Sequence, residues 1–147
     1  MPALLEASSA ASAQGHFSIL IVEDHDATRK ALMLLLDGAF GRDDVRLRSA
    51  QDAEIALMLV EAEAPDIVVM DISLPGMNGI EATRRIREIA PAARIVMHSN
   101  SDMEIYRTMS ASVGASAFVS KQSGANELIA AISRLRDRAD GANAIHP

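Results

Sequence analysis

The sequence contains no cysteine and no tryptophan, and only 3% of its residues are aromatic. The missing thiols exclude disulfides, cysteine nucleophiles and cysteine-ligated zinc. With so few rings, the core has to be built from Leu, Ile, Val, Ala and Met. Basic residues are in the minority, 14 Lys and Arg against 20 Asp and Glu, for a formal charge of -6. A surface that grips nucleic acid directly should be basic, so direct nucleic-acid binding is not expected. No apolar stretch approaches the roughly 20 residues of a membrane-spanning helix. Met1 to Gly15 carries no Lys or Arg and only Ala3-Leu4-Leu5 as an apolar stretch. A secretory signal needs a basic start and a longer apolar run. These absences point to cytoplasmic residence without membrane association.

What is present suits one domain: 147 residues, 49% of them hydrophobic. The Ala/Ser-rich start reads as a flexible leader over residues 1–16, ahead of a folded domain over 17–138 and a frayed tail over 139–147. Five short β-like runs stand out, each followed by a helical pattern. Ser18 to Val22 precedes a helix from about Asp26 to Asp37, with Gly38 and Gly41 marking its end. Val45 to Arg48 alternates apolar and basic residues, as an edge strand should. A helix from about Asp52 to Ala62 follows, which Pro65 keeps from continuing. Asp66 to Met70 is almost wholly apolar and reads as a central strand buried on both faces. A turn-rich loop, Ser73 to Gly79, leads into a helix ending near Ala90. Arg94 to His98, a helix over about Asp102 to Val113, the strand Ser116 to Val119, and a helix over about Ala125 to Arg138 complete the series. Strands alternating with helices imply a parallel sheet covered on both faces, an α/β three-layer sandwich.

In such a sheet, ligands sit beyond the carboxyl ends of the strands. Glu23 and Asp24 follow the first strand, Asp71 the third, Ser99 the fourth and Lys121 the fifth. Clustered carboxylates repel one another unless a proton or cation intervenes, and carboxylate oxygens with several waters suit Mg²⁺. Three carboxylates, one lysine and one Mg²⁺ sum formally to zero, so a phosphoryl group approaches without net repulsion. Lys121 then holds one of its oxygens as a point charge, and Ser99 donates to another.

These motifs together resemble the receiver domain of bacterial two-component response regulators. The matching segments are Ile19 to Asp24, Asp71 to Gly79, Ile95 to Ser99 and Gly114 to Lys121, within a span from about Phe17 to Arg138. The resemblance implies a flavodoxin-like (βα)5 fold of strand order 2-1-3-4-5. It makes Asp71 the phosphoacceptor, supplied by a histidine kinase or a histidine phosphotransfer protein. Asp24, Asp71 and the Ser73 backbone carbonyl would ligate Mg²⁺, with Glu23 acting through water. Ser99 and Phe118 would be the switch pair, and the fourth helix, fifth strand and fifth helix would meet a downstream protein target or a second copy of the chain. The protein is expected to be no enzyme beyond its own phosphorylation and autodephosphorylation.

Two residues depart from the family pattern: Asn100 where a smaller residue is usual, and Gln122 where proline is frequent. Too few residues follow the last helix for a DNA-binding module, which suggests a stand-alone receiver or a piece of a longer chain. A phosphorylation-independent binding module is the alternative. A Mg²⁺-dependent phosphohydrolase is disfavoured because Ser73 stands where such enzymes place a second acid. His98 reads as structural, its side chain opposite that of Ser99. His25 reads as a polar loop residue, and Tyr106 as a partner contact if exposed.

Overall fold

A computed structural model of the chain describes residues 17–41, 45–101 and 103–145, with side chains through 138. The expected leader, residues 1–16, lies outside the described residues. Five strands and five helices alternate: β1 (Phe17–Val22), α1 (Asp26–Phe40), β2 (Val45–Ala50), α2 (Ala53–Ala62), β3 (Ile67–Met70), α3 (Gly79–Ile89), β4 (Arg94–Ser99), α4 (Glu104–Ser112), β5 (Ala117–Ser120) and α5 (Ala125–Ile145). All strand pairs are parallel, and the order is β2-β1-β3-β4-β5. The expected flavodoxin-like topology is therefore present, with the basic β2 at the edge.

The apolar strands serve two layers at once, because successive side chains leave a strand on opposite faces. Leu20, Val22, Val68, Met70, Ile95 and Met97 pack with Ala56, Val60, Ile80 and Ile86 on one side. Ile19, Ile21, Val69 and Val96 pack with Leu32, Leu36 and Phe40 of α1 and with Leu128, Ile132 and Leu135 of α5 on the other. Helices α2, α3 and α4 thus cover one face and α1 and α5 the other. The central β3 is buried along its whole length.

Several boundaries differ from expectation. Helix α1 passes through Gly38 and stops at Phe40, because Phe40 is buried in the core and holds one more turn in place. Strand β2 continues to Ala50, paired with Val22. Helix α5 runs on to Ile145, past the expected end at Arg138. Tyr106 is half-buried against the α3-side core, so it is no exposed contact.

Candidate phosphoacceptor and cation site

Asp71 and Glu23 are placed by the two central strands. Beyond β1, the Glu23 N–H donates to the Ala50 carbonyl at 3.0 Å, and beyond β3 the Asp71 N–H donates to the Val22 carbonyl at 3.1 Å. Sheet pairing therefore persists one residue past each strand and sets the two carboxylates side by side. The Arg29 guanidinium on α1 donates to the Glu23 carbonyl at 3.0 Å and pins the acidic loop. After Asp71 the chain turns: the Ser73 N–H donates to Asp71 Oδ1 at 3.2 Å, and the Gly79 N–H donates to the Ile72 carbonyl at 2.9 Å. Asn78 then caps α3 by accepting from the N–H groups of Ile80 and Glu81. Gly79 has no substitute here, because a Cβ at that position would lie 2.0 Å from the Asp71 carbonyl oxygen.

Lys121 arrives from the far side of the sheet. The Ser120 hydroxyl accepts from the Gln122 N–H at 3.1 Å, and a single 3₁₀ turn, Lys121–Ser123, ends β5. From that turn the long lysine side chain reaches across the end of β4. Its Nζ donates to Glu23 Oε1 at 2.6 Å and to Asp71 Oδ2 at 3.2 Å. One ammonium thus serves two carboxylates that are only 1% and 4% exposed.

The charges of this trio shift one another. Burial pushes the Glu23 carboxyl up, but Lys121 and the His25 N–H outweigh it and leave the group below the usual range. Burial raises Asp71, and the neighbouring Glu23 charge adds to this, so Lys121 fails to bring it back to the ordinary value. For Lys121 itself, burial opposes the charge, yet the two carboxylates hold its pKa above normal. Asp71 is thus the less comfortable of the two anions and stands to gain from a second cation.

The remaining expected residues divide. Asp24 lies beside the trio with its Oδ1 buried and without a hydrogen-bond partner, an atom whose needs a cation would meet. Among the described residues, Glu23, Asp24 and His25 form a set whose ligand atoms all lie within 4.8 Å of one another, and Asp71 falls outside that set. His25, read from the sequence as a loop residue, is therefore part of the acidic cluster. Ser99 is buried at the end of β4, where its hydroxyl accepts from the Ser101 N–H at 3.1 Å and stays out of the lysine network. Phe118 is half-buried on the same face of the sheet as Met97, with the Arg107 guanidinium 4.6 Å above its ring. His98 pairs with Val119 and is buried on the opposite side from Ser99, as its strand position requires. Burial, followed by the Lys121 charge, depresses its pKa to about 4.

The family model of the response regulator receiver domain matches residues 19–133. This chain belongs to the response regulator receiver family. The transcriptional regulatory protein DegU of Brevibacillus brevis is 33% identical over 91% of this chain and 55% of its own length. The response regulator GacA of Pseudomonas aeruginosa is 30% identical over 80% of this chain and 54% of its own. The receiver chain thus spans about half the length of the curated relatives it matches. Among solved structures, a LuxR-family two-component response regulator from Aurantimonas sp. SI85-9A1 is 36% identical with a TM-score of 0.75, covering 82% of this chain and 84% of that one. A CheY-like receiver domain protein from Methanospirillum hungatei JF-1, 23% identical with a TM-score of 0.76 over 86% of this chain and 98% of its own, shares the fold.

Proposed function

We propose that this receiver works as a phosphorylation switch in which Asp71 accepts a phosphoryl group from a phosphohistidine on a histidine kinase or phosphotransfer protein. The observation that supports this best is the Lys121 ammonium bridging Glu23 and Asp71 at the strand ends. Asp24 and Asp71, with the Ser73 carbonyl and with Glu23 through water, would hold Mg²⁺. That ion, when bound, supplies charge neutralisation and polarises phosphoryl oxygens. The orphaned Asp24 Oδ1 and the raised Asp71 pKa fit this need for a divalent cation.

In this reading the Asp71 carboxylate attacks phosphorus, the N–P bond to histidine breaks, and the leaving imidazole takes up a proton. Lys121 faces the transferred group as a point charge. Ser99 exchanges its Ser101 partner for a phosphoryl oxygen, and Phe118 follows it inward. The face made by α4, β5 and α5 changes shape and meets a downstream protein or a second copy of the chain. The reaction leaves the protein a phosphoacceptor and not a turnover enzyme, and it belongs in the cytoplasm. No helix among the described residues is long and apolar enough to cross a membrane.

The test is intact mass after incubation with acetyl phosphate or phosphoramidate and Mg²⁺, with an Asp71→Asn variant alongside. One phosphoryl group should add to the wild type, should be lost in EDTA, and should be absent in the variant. Stoichiometric addition to the variant refutes Asp71 as acceptor. No addition to the wild type favours a phosphorylation-independent binding module.

A further inference from the structure

We propose that Ser120 is a positioning residue for Lys121, its hydroxyl clasping the turn that aims the lysine at the two carboxylates. The inference rests on the reading of Lys121 as the group that meets a phosphoryl oxygen, and concerns what holds that lysine in place. Glu23 and Asp71 each keep a sheet hydrogen bond one residue past their strands. Lys121 is placed differently. The ladder between β4 and β5 runs as far as Ser99 opposite Ser120, and Lys121 opens the 3₁₀ turn that follows. Two side-chain bonds take over where the ladder ends. Ser120 Oγ accepts from the Gln122 N–H at 3.1 Å, and Ser123 Oγ donates to the Ser120 carbonyl at 2.7 Å. Each joins the residue before Lys121 to a residue after it, so both span the lysine. Together they fix its backbone torsions, and with them the direction in which its side chain leaves the chain.

The turn depends on these bonds because none of its three residues is buried, so hydrogen bonds and not packing give it its shape. A serine hydroxyl that bonds the backbone two residues on is a local turn-former, and it needs an N–H at that place. Gln122 supplies one, where proline would have none to give. Beyond the clasp, Gly124 takes a φ of 90°, which glycine adopts without strain, and α5 begins at Ala125. The aim of Lys121 has little tolerance. Its Nζ lies 2.6 Å from Glu23 Oε1 but 3.2 Å from Asp71 Oδ2, the long end of the hydrogen-bond range. A small drift of the turn therefore costs the contact with Asp71 first.

The experiment uses the full chain with Ser120→Ala, which removes the hydroxyl, and Ser120→Thr, which keeps it. The rate of phosphoryl addition from phosphoramidate in saturating Mg²⁺ is followed by intact mass, and Mg²⁺ affinity is measured by calorimetry. Ser120→Ala should be phosphorylated about three- to tenfold more slowly, the scale of one hydrogen bond, and Ser120→Thr should recover most of the wild-type rate. Mg²⁺ affinity should stay nearly unchanged in both, because the clasp acts on the lysine and not on the acidic loop. An unchanged rate in Ser120→Ala would overturn the proposal and leave the receiver reading standing. So would a Ser120→Thr variant as slow as Ser120→Ala, or a loss of Mg²⁺ affinity in parallel with the rate, which mark general damage to the fold. A wild type that takes no phosphoryl group would overturn the underlying reading and this inference with it.

Discussion

Replacing Lys121 with methionine tests the electrostatic core of the site. The variant keeps most of the side chain's length but removes the one charge that faces both Glu23 and Asp71. Two adjacent carboxylates, 1% and 4% exposed, are then left without a countercharge. Removing one partner of a buried ion pair costs about 3–5 kcal/mol. Because the lysine side chain is itself 12% exposed at the mouth of the site, the lower end, about 3 kcal/mol, is expected. Urea unfolding followed by far-ultraviolet circular dichroism in EDTA measures this, since the chain has no tryptophan to report by fluorescence. Adding Glu23→Gln to the variant should restore most of the loss. Saturating Mg²⁺ should also stabilise it, by about 2.7 kcal/mol at a hundredfold excess over Kd.

The pH dependence has a definite sign. In the wild type, Glu23 has a pKa below its ordinary 4.5 and so contributes stability above that pH, which is lost on acidification. Without Lys121, burial is opposed mainly by the hydrogen bonds from His25 and Ser73, and both carboxyls titrate higher than in the wild type. The folded variant then binds protons that the unfolded chain has released, and its stability falls as pH rises. Acidifying from neutral pH should therefore narrow the gap between variant and wild type. A cost below about 1 kcal/mol in EDTA, or a gap that widens on acidification, refutes a buried lysine shared by two anions.

His98 should limit acid stability. Its pKa falls from 6.5 to about 4, so between these values the unfolded chain takes up a proton that the folded chain refuses, and stability drops as pH falls, by up to about 3 kcal/mol. A His98→Leu variant should lose correspondingly less on acidification, measured as the difference in urea midpoints at the two ends of that range. Two glycines should respond to alanine with opposite signs. Gly79→Ala forces a Cβ to within 2.0 Å of the Asp71 carbonyl oxygen and should cost about 3 kcal/mol or more. Gly38→Ala meets nothing within 4 Å inside α1 and should stabilise by about 0.5–1 kcal/mol. A shared sign in thermal unfolding would show that the close approach at Gly79 is not what makes glycine necessary there.

The topology was legible because each strand is a short apolar run closed by a polar residue or a turn. The Arg46 and Arg48 alternation was enough to place β2 at the edge, where Arg46 now pairs with Glu63 and Arg48 bonds the last carbonyls of α2. Helix ends were less legible, since packing outvotes propensity: Gly38 is a stop signal in isolation, but the buried Phe40 carries α1 past it. Glu23, Asp71 and Lys121 could be anticipated from their positions at strand ends. The contact of His25 with Glu23 and Asp24 could not, because three consecutive side chains meet only where the chain bends between β1 and α1. Gly79 stood out as turn chemistry, but its approach to the Asp71 carbonyl depends on how α3 folds back on β3, which no local pattern records.

The sharing of one lysine between two carboxylates also explains how the resting site remains both buried and ready. Lys121 satisfies Glu23 more closely than Asp71, at 2.6 Å against 3.2 Å, so the proposed acceptor holds the weaker half of the lysine. Asp71 is correspondingly the carboxyl whose charge is less favoured. In the proposed switch, a divalent ion that neutralises the acidic side would free Lys121 to turn its ammonium toward an incoming phosphoryl oxygen without stranding either anion. The same reasoning makes Glu23, and not Asp71, the residue that anchors Lys121 at rest. In EDTA, Glu23→Gln should therefore loosen Lys121 more than Asp71→Asn does. The measurement is the nuclear magnetic resonance linewidth of the lysine Nζ protons, and equal broadening in the two variants would contradict this division of labour.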